Sequence, residues 1–430
     1  MPEWKEWSFS TLNARVSIPF PRLRKLSLLS CSKLRSVPLT VLPSLVQLAL
    51  KDCRECLLKS MPCMPSLTHL SLESVSSMTS VYEAFPKFPL TLQVLDINCC
   101  NDLVTLWPIC DVGRNLVYLQ EIVIKECPQL ESLQEICLLP MLRTLRIERL
   151  ESLRSLPVHR LTSSLKKLEI MWCEQLAMNS EMVIWDCSAS LEQLYLWNLV
   201  NLDTRMLLGS VHNFASLTEL FLTGCDVLET FPEGGLPVPA LRKLSIWNCK
   251  NLMALPRQME SLTCLEHLSL WYCPSLELFP EGAFPPNLTY LEIRYCYTLK
   301  PLPKWGLGLL TSLRWFVIVG GYPDLVSFAS DNEENLLLPS TLETLWVAEL
   351  PNLRTLFKGF RNLFSLRHLD IWECPELEAL PMEDQLDKLW SLHVQECPLL
   401  EKRCLKDRGG YSTMIAEIPD VMIEYCRVPG

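Results

Sequence analysis

Cysteine has the widest chemical range of the residues in this sequence, and 20 of the 430 residues are cysteines. Thiolates bind zinc, attack electrophiles and form disulfides, so spacing decides which chemistry is open to them. Eleven share one position of a periodic pattern: Cys31, Cys53, Cys100, Cys127, Cys173, Cys225, Cys249, Cys273, Cys296, Cys374 and Cys397. Such a period favours packing, with a small buried S–H group donating to a nearby backbone carbonyl. We therefore predict buried thiols, and the lack of a secretory signal favours their reduced form.

Other candidates for catalysis or metal binding are sparse. Cys53 and Cys56 have the C-x-x-C spacing of zinc and redox sites, but no second pair with matching spacing accompanies them. Three of the six histidines, His69, His267 and His368, fall at one position of the repeating pattern, which is typical of a repeat rather than a catalytic triad. The motifs G-x-x-x-x-G-K-[S/T] and H-E-x-x-H are absent. We expect no catalytic residue, no metal site and no cofactor, and hence not an enzyme.

The repeating pattern is clearest in three consecutive segments, LRKLSIWNCKNLMALP, LEHLSLWYCPSLELFP and LTYLEIRYCYTLKPLP. In the first, Leu244 and Ile246 lie two residues apart and project to one side of an extended strand, while Lys243 and Trp247 project to the other. One such segment cannot bury its own leucines. Parallel stacking of successive segments buries them as a continuous ladder, which predicts a leucine-rich-repeat solenoid.

The sequence contains 16 such repeats, spaced by 22 to 29 residues. Their first leucines are Leu23, Leu45, Leu67, Leu92, Leu119, Leu142, Leu165, Leu191, Leu217, Leu241, Leu265, Leu288, Leu313, Leu342, Leu366 and Leu389. The predicted fold class is an α/β-type solenoid, a leucine-rich-repeat horseshoe with a parallel concave β-sheet. The return segments are short and rich in proline, so we expect a mostly irregular convex side with single helical turns such as 258–262.

Three divisions of the chain follow from this reading. Residues 1–22 are a lead-in, interpreted as the interior of a longer repeat array. Residues 23–404 form the repeat domain, and residues 405–430 form a C-terminal tail or cap, in which the apolar segment 414–423 is suited to cover the last repeat. The acidic insert 330–335 is expected to be an exposed loop.

The net charge and the hydropathy of the chain limit the classes of partner that it can bind. The formal net charge is -10 and the pI is about 5.3, so no overall basic field attracts nucleic acid. No apolar run approaches the ~20 residues of a membrane span. We expect a protein partner, no nucleic acid, no membrane span, and a cytoplasmic location with the nucleus as a second compartment.

Aromatic residues recur on the strand side opposite the leucines and just after the strands. They are Trp172, Tyr195, Trp197, Phe221, Trp247, Trp271, Tyr272, Tyr290, Tyr295, Trp315, Trp346 and Trp372. Exposed aromatic residues on neighbouring strands form a patch of the kind that binds partners. The alternative is that they stack on one another and stabilise the sheet. Stacking is favoured for any single residue, and binding for the surface as a whole.

Several segments resemble the C-terminal region of plant intracellular nucleotide-binding leucine-rich-repeat disease-resistance proteins, especially the coiled-coil class. The repeat L-x-x-L-x-L-x-x-C-x-x-L-x-x-L-P has cysteine where many leucine-rich repeats have asparagine. MPEWKEW at Met1–Trp7, before FPRL at Phe20–Leu23, resembles a stretch inside that repeat array. GGYPDLVSF at Gly320–Phe328 resembles a late repeat, and CPLLEKRC at Cys397–Cys404 with IAEIPDVMI at Ile415–Ile423 resembles its end.

The resemblance implies a role in plant innate immunity. In such proteins the repeats contribute to recognising pathogen effectors or guarded host proteins, and they restrain a nucleotide-binding module. That module is absent from this sequence, so the resemblance implies a fragment of a longer receptor or a truncated paralogue. The alternatives are a leucine-rich-repeat substrate adaptor of a ubiquitin ligase and a free-standing decoy or adaptor repeat protein.

Overall fold

The computed structural model describes most of the chain in sixteen segments. They are residues 4–7, 20–85, 89–107, 116–156, 163–176, 189–199, 214–231, 235–236, 238–277, 284–299, 306–323, 325–327, 338–356, 363–380, 388–406 and 415–424. The predicted acidic loop at 330–335 lies outside them.

The described residues contain seventeen strands of five residues each. They are β1 (Lys25–Leu29), β2 (Gln47–Lys51), β3 (His69–Glu73), β4 (Val94–Asn98), β5 (Glu121–Lys125), β6 (Thr144–Glu148), β7 (Lys167–Met171), β8 (Gln193–Trp197), β9 (Glu219–Thr223), β10 (Lys243–Trp247), β11 (His267–Trp271), β12 (Tyr290–Arg294), β13 (Trp315–Val319), β14 (Thr344–Ala348), β15 (His368–Trp372), β16 (Ser391–Gln395) and β17 (Asp420–Glu424). A strand begins two residues after each of the sixteen leucines that define the repeats.

The strands fall into two compact units, which we call unit 1 (Met1–Leu217) and unit 2 (Thr218–Gly430). Within unit 1, β1 to β8 pair in sequence order, each parallel to the next. Within unit 2, β9 to β17 pair in the same way. The register keeps the second and fourth residues of each strand opposite those of its neighbours, as in Leu244 against Leu268 and Ile246 against Leu270. These side chains form the buried ladder, and full burial of each leucine contributes about 1.5 to 3 kcal/mol.

A left-handed residue ends every one of the sixteen predicted repeat strands. The residue directly after β1 to β16 has φ between 50° and 62°, and most of these residues are not glycine. Trp172, Tyr272 and Tyr295 are bulky members of this set, and such residues adopt positive φ rarely. The left-handed turn directs the next residue inward, and the sequence pattern did not reveal it.

The eleven periodic cysteines occupy that next position, and all are buried with free thiols. Each Sγ lies 3.3 to 3.7 Å from the carbonyl oxygen two residues earlier. Five also reach a carbonyl of the preceding strand, as Cys53 reaches Leu28 at 3.6 Å. Burial raises the pKa of Cys53 and of Cys173 to about 11, so these thiols stay protonated at neutral pH. The cysteines therefore close the turn after each strand.

The return segments contain little helix. The described part of the chain has α1 (Glu55–Lys59), α2 (Val81–Ala84) and α3 (Pro398–Lys406), with 3-10 turns at Gln134–Leu138, Met259–Ser261 and Leu307–Leu309. The turn at Met259–Ser261 lies inside the predicted helical turn at 258–262. The predicted fold class, a parallel leucine-rich-repeat solenoid with a mostly irregular return side, is thus confirmed.

The C-terminal segment extends the sheet. β17 pairs with β16 in parallel and places Val421 and Ile423 in the leucine ladder. A cover over the last repeat was predicted for segment 414–423; in the structure, residues Asp420–Glu424 form a seventeenth strand beside β16. The boundaries at 22/23 and 404/405 stay predictions. The described residues include no helix with the length and apolar character that crossing a lipid bilayer requires.

Candidate protein-binding surface

The candidate surface is the outer face of the sheets, which we define by the first, third and fifth residues of each strand. These side chains point away from the leucine ladder, as Lys243, Ser245 and Trp247 do in β10. The left-handed residue after each strand borders this face. Its composition differs between the two units.

The outer face of unit 1 is linked by ion pairs. Lys51 Nζ lies 2.7 Å from Glu73 Oε1 on the next strand. On β6 and β7, Arg146 lies between Glu148 at 3.1 Å and Glu169 at 3.5 Å. These side chains keep part of their surface in solvent, where ion pairs are screened and contribute about 0 to 1 kcal/mol each.

Aromatic rings appear at the end of unit 1. The rings of Trp172 and Trp197 meet edge to face, with centroids 5.4 Å apart. Two cations lie over this group: the Arg149 guanidinium is 5.3 Å from the Trp172 ring, and Lys167 Nζ is 5.2 Å from the Tyr195 ring. The three predicted residues in unit 1 are therefore all half-buried by stacking and cation–π contacts.

In unit 2 a row of rings crosses β9 to β11. The Phe221 and Trp247 rings meet edge to face at 4.7 Å, and Trp247 stacks on Trp271 at 4.4 Å with 9° between the planes. Beneath the rings lie two outer-face serines, Ser245 and Ser269, which are only 2% and 1% exposed. The aromatic row thus forms a second layer over the sheet and shields small polar residues from water.

A chain of hydrogen bonds continues from this row into β12. Trp247 Nε1 donates to Ser269 Oγ at 3.2 Å, and Ser269 Oγ donates to Glu292 Oε2 at 2.8 Å. The other carboxylate oxygen, Oε1, accepts from Arg294 Nε at 2.7 Å. Glu292 is 5% exposed, and a buried carboxylate requires such partners. Both of its oxygens are engaged within the chain.

Two side chains of β12 and its turn reach across β13 to β14. The Arg294 guanidinium lies between two indole rings, 4.8 Å from Trp271 and 4.3 Å from Trp346. The Tyr295 hydroxyl donates to the Glu349 carboxylate, and this bond raises the pKa of Tyr295. Both contacts span β13, whose outer-face residues Val317 and Val319 are buried.

The glycine directly after β13 leaves room for the Tyr295 side chain to reach β14. A Cβ at Gly320, directly after β13, would lie 2.7 Å from Tyr295 Cδ1, and the residue has φ +60°. The next residue, Gly321, would place a Cβ 2.9 Å from the backbone nitrogen of Cys296. Glycine at both positions is therefore required by close packing against the preceding repeat.

An apolar cluster lies under the crossing side chains. Val317, Val319 and Ala348 are each 3% exposed although they belong to the outer face. The rings of Tyr290, Tyr295, Trp346 and Trp372 pack against them, and Trp346 meets Trp372 at 5.0 Å. Unit 2 therefore has apolar packing on both sides of its sheet.

Burial shifts the pKa values of two titratable groups beside the cluster. His267 stacks on Tyr290 at 4.1 Å with 6° between the rings. Burial, followed by the charge of Lys243, lowers the pKa of His267 to about 4, so its imidazole is neutral at pH 7. Burial, followed by the charge of Glu292, raises the pKa of Tyr290 to about 12. The stack is therefore uncharged under physiological conditions.

All twelve predicted site residues lie among the described residues, on the outer face or directly after a strand. They form several groups of ring contacts, which include Tyr272 on Tyr295 at 4.4 Å and Tyr290 near Trp315 at 6.4 Å. Two are exposed, Tyr272 and Trp315, each at 47%, whereas Phe221 is 9% exposed. The stacking interpretation thus describes most single residues.

Sequence reasoning missed Arg294, Glu292 and Gly320 as members of this surface. One signal was present: Arg294 occupies the strand position held by tryptophan in the two preceding repeats. In the residues that the structure describes, no group of three or more His, Cys, Asp or Glu is placed to hold a metal ion.

The repeats, the single parallel ladder in each unit and the layered outer face define a leucine-rich-repeat solenoid. A leucine-rich-repeat protein of Leptospira interrogans has the same fold, with a TM-score of 0.61 at 23% identity over 94% of this chain and 96% of that one. No family model matches the chain.

Curated relatives give the nearer biological context. A putative disease resistance protein of Arabidopsis thaliana is 33% identical over 316 residues, which are 66% of this chain and 21% of that protein. The disease resistance protein RPS6 of the same plant is 29% identical over 247 residues, 52% of this chain and 21% of that protein. The chain therefore spans about a fifth of the length of these relatives. It is a leucine-rich-repeat protein homologous to plant disease-resistance proteins.

Proposed function

We propose that this chain is the recognition part of a plant disease-resistance receptor and binds a protein through the outer face of unit 2. The partner is a pathogen effector or a guarded host protein. The observation that carries the proposal is the set of aromatic rings on the outer face of β9 to β15, on a chain whose relatives are disease-resistance proteins. Aromatic and arginine side chains dominate the energetics of protein interfaces.

The proposal includes a position and a class within the receptor. We place the chain in the C-terminal region of a coiled-coil-class receptor, in the cytoplasm with the nucleus as a second location. There it would also contact the receptor's own nucleotide-binding module and restrain it. An effector can switch such a receptor only by binding its active state more tightly than its resting state.

The role is binding rather than catalysis. The chemical groups of the outer face are used in stacking and ion pairing, and the periodic thiols are buried and close turns. A substrate adaptor of a ubiquitin ligase and a free-standing decoy remain the alternatives. The relatives, which are disease-resistance proteins, do not favour the adaptor.

The test is an interaction screen of the full chain against libraries of secreted pathogen proteins and of plant proteins. Each hit is retested with the double substitution Trp315→Ser and Tyr272→Ser. Both residues are 47% exposed, so they can be replaced at small cost to folding. We expect binding to the hit to fall at least roughly tenfold, in line with the loss of two interface aromatic residues.

The matched control is Phe364→Ser, which removes a ring that is 59% exposed and lies outside the strands. It should leave binding unchanged, and all variants should keep the wild-type melting temperature. Hits that bind the double variant as tightly as the wild type would show that the partner uses another surface.

A further inference from the structure

Hydrogen-bond donors without acceptors gather at one place on the outer face of unit 2. They belong to Arg294, to Trp271 and Trp346 beside it, and to Trp372, which contacts Trp346. The guanidinium lies 4.8 Å from the Trp271 ring and 4.3 Å from the Trp346 ring, and Trp346 contacts Trp372 at 5.0 Å. All four side chains carry only donors.

The orientation of Arg294 is fixed on three sides. The guanidinium contacts the Trp271 and Trp346 rings, and Nε donates to Glu292 Oε1 at 2.7 Å. Its side chain is 17% exposed. Among the described residues no hydrogen bond engages its terminal nitrogens. A planar fork of donors is thus presented in a preorganised position.

The three indole nitrogens of this group are also donors without acceptors. Nε1 of Trp271, Trp346 and Trp372 is shielded from solvent and has no hydrogen-bond partner in the described part of the chain. By contrast, Trp247 Nε1 in the same row donates to Ser269. A buried donor that lacks an acceptor costs free energy, and native proteins keep few of them. Three such donors, two beside Arg294 and one on the adjoining ring, call for an acceptor from outside the chain.

The neighbouring carboxylates do not supply it. Glu292 uses one oxygen for Arg294 and the other for Ser269. Glu349 accepts from the Tyr295 hydroxyl. Glu373, directly after β15, is exposed to solvent. Among the described residues, no hydrogen bond joins these carboxylates to the terminal nitrogens of Arg294 or to the three indole nitrogens.

We propose that Arg294 and the surrounding indoles bind a side-chain carboxylate of a protein partner. This inference rests on the proposed function, because it assigns one residue type to the partner that binds the outer face. The fork of a guanidinium matches a carboxylate in a bidentate geometry. The rings beside it bury the aliphatic part of an aspartate or glutamate side chain.

The experiment uses the full chain and a phage-displayed library of random linear peptides. Enriched peptides are synthesised, and each acidic residue is replaced in turn, Asp by Asn or Glu by Gln. We expect one acidic residue per peptide whose replacement weakens binding to the wild type roughly tenfold or more. The Arg294→Gln chain should bind the original and the neutral peptide equally weakly.

Two further variants keep the test decisive. Arg294→Lys retains the charge without the fork and should bind with intermediate affinity, which gives an answer even where Arg294→Gln fails to fold. Arg242→Gln removes an arginine that pairs with Glu266 beside the strands of the same unit, and it should leave peptide binding unchanged. Melting temperature and near-ultraviolet circular dichroism check the fold.

The contradicting results separate the two proposals. Peptides that bind wild type and Arg294→Gln equally, but lose binding with Trp315→Ser and Tyr272→Ser, overturn the carboxylate site and leave the proposed function standing. A library that yields no peptide dependent on the outer face overturns both.

Discussion

On the outer face of unit 1, successive strands are joined by ion pairs such as Lys51 with Glu73 and Arg146 with Glu169. On that of unit 2, they are joined by stacked rings above shielded residues such as Ser245 and Val317. The strand spacing, the parallel register and the left-handed turn are the same in both units. The shared backbone therefore allows different side chains on the outer face. Ion pairs in solvent contribute little, whereas the aromatic layer adds apolar burial on the side opposite the leucines.

The same difference bears on recognition. Charged side chains in solvent must be desolvated and ordered when a partner binds. The rings and the guanidinium of unit 2 are already packed against one another, so less conformational freedom is lost on binding. A partner should thus gain more from unit 2 than from the first seven strands of unit 1.

The largest expected effect comes from breaking the crossing over β13. Gly320→Ala adds a Cβ at φ +60°, 2.7 Å from Tyr295 Cδ1, and should destabilise unit 2 by about 2 to 4 kcal/mol. Hydrogen exchange followed by mass spectrometry reads the two units separately. The control Asn248→Ala changes the corresponding turn after β10, where φ is already 51° with a Cβ present. Equal exchange in the two variants would contradict the crossing.

A smaller effect is expected from Trp346→Ala. The indole covers the cluster of Val317, Val319 and Ala348 and holds Arg294, so its loss should destabilise unit 2 by about 2 kcal/mol. Tyr195→Ala in unit 1 removes a half-buried ring at the same strand position and should cost less. Denaturant unfolding monitored at amides of each unit gives both values. A larger loss of stability in Tyr195→Ala than in Trp346→Ala would contradict this difference between the units.

Removal of the ion pairs should have a still smaller effect. Arg146→Met breaks the contacts with Glu148 and Glu169 and should change stability by less than about 1 kcal/mol. The change should shrink further at high salt, because the pairs are partly exposed and screened. The same salt series should leave the cost of Trp346→Ala nearly constant. A salt-independent loss in Arg146→Met would mean that the arginine acts through packing.

The stability of the two units should also depend differently on pH. Between pH 6.5 and about 4 the unfolded chain binds a proton at His267 that the folded chain rejects, because burial lowers the folded-state pKa. Stability of unit 2 therefore rises with pH across this window and is lost on acidification. His267→Gln should flatten the slope measured by denaturant unfolding. His69→Gln makes the same change at the same strand position of β3 and is the matched control; an equal flattening there would refute the assignment.

Much of the fold could be predicted from the spacing of leucines. The pattern located sixteen strands, because burial of one face fixes both the period and the register. It did not locate β17, since its residues 420–424 lack the leucine signature and become a strand only by pairing with β16. It also did not reveal the left-handed turns, because tryptophan and tyrosine do not by themselves favour positive φ.

The candidate surface was predictable in part. Alternation along the strands placed nine of the twelve aromatic residues on the outer face, and mutual stacking was one of the two interpretations that the pattern allowed. The crossing of Tyr295 was not predictable, because it depends on the absence of a side chain at Gly320, directly after the strand between Tyr295 and Glu349. In the sequence, Arg294 cannot be distinguished from a solvated lysine or arginine at an outer-face position, because its neighbours in space are unknown.

The contacts of Tyr295 with Glu349 and of Arg294 with Trp346 join residues two repeats apart. In a solenoid where each repeat contacts only its neighbours, unfolding that starts at one end passes from repeat to repeat in small steps. Side chains that skip a repeat make β12, β13 and β14 lose their structure together. Fraying that begins at β17 should therefore halt before β14, and this block of three strands would act as a stop for stepwise unravelling.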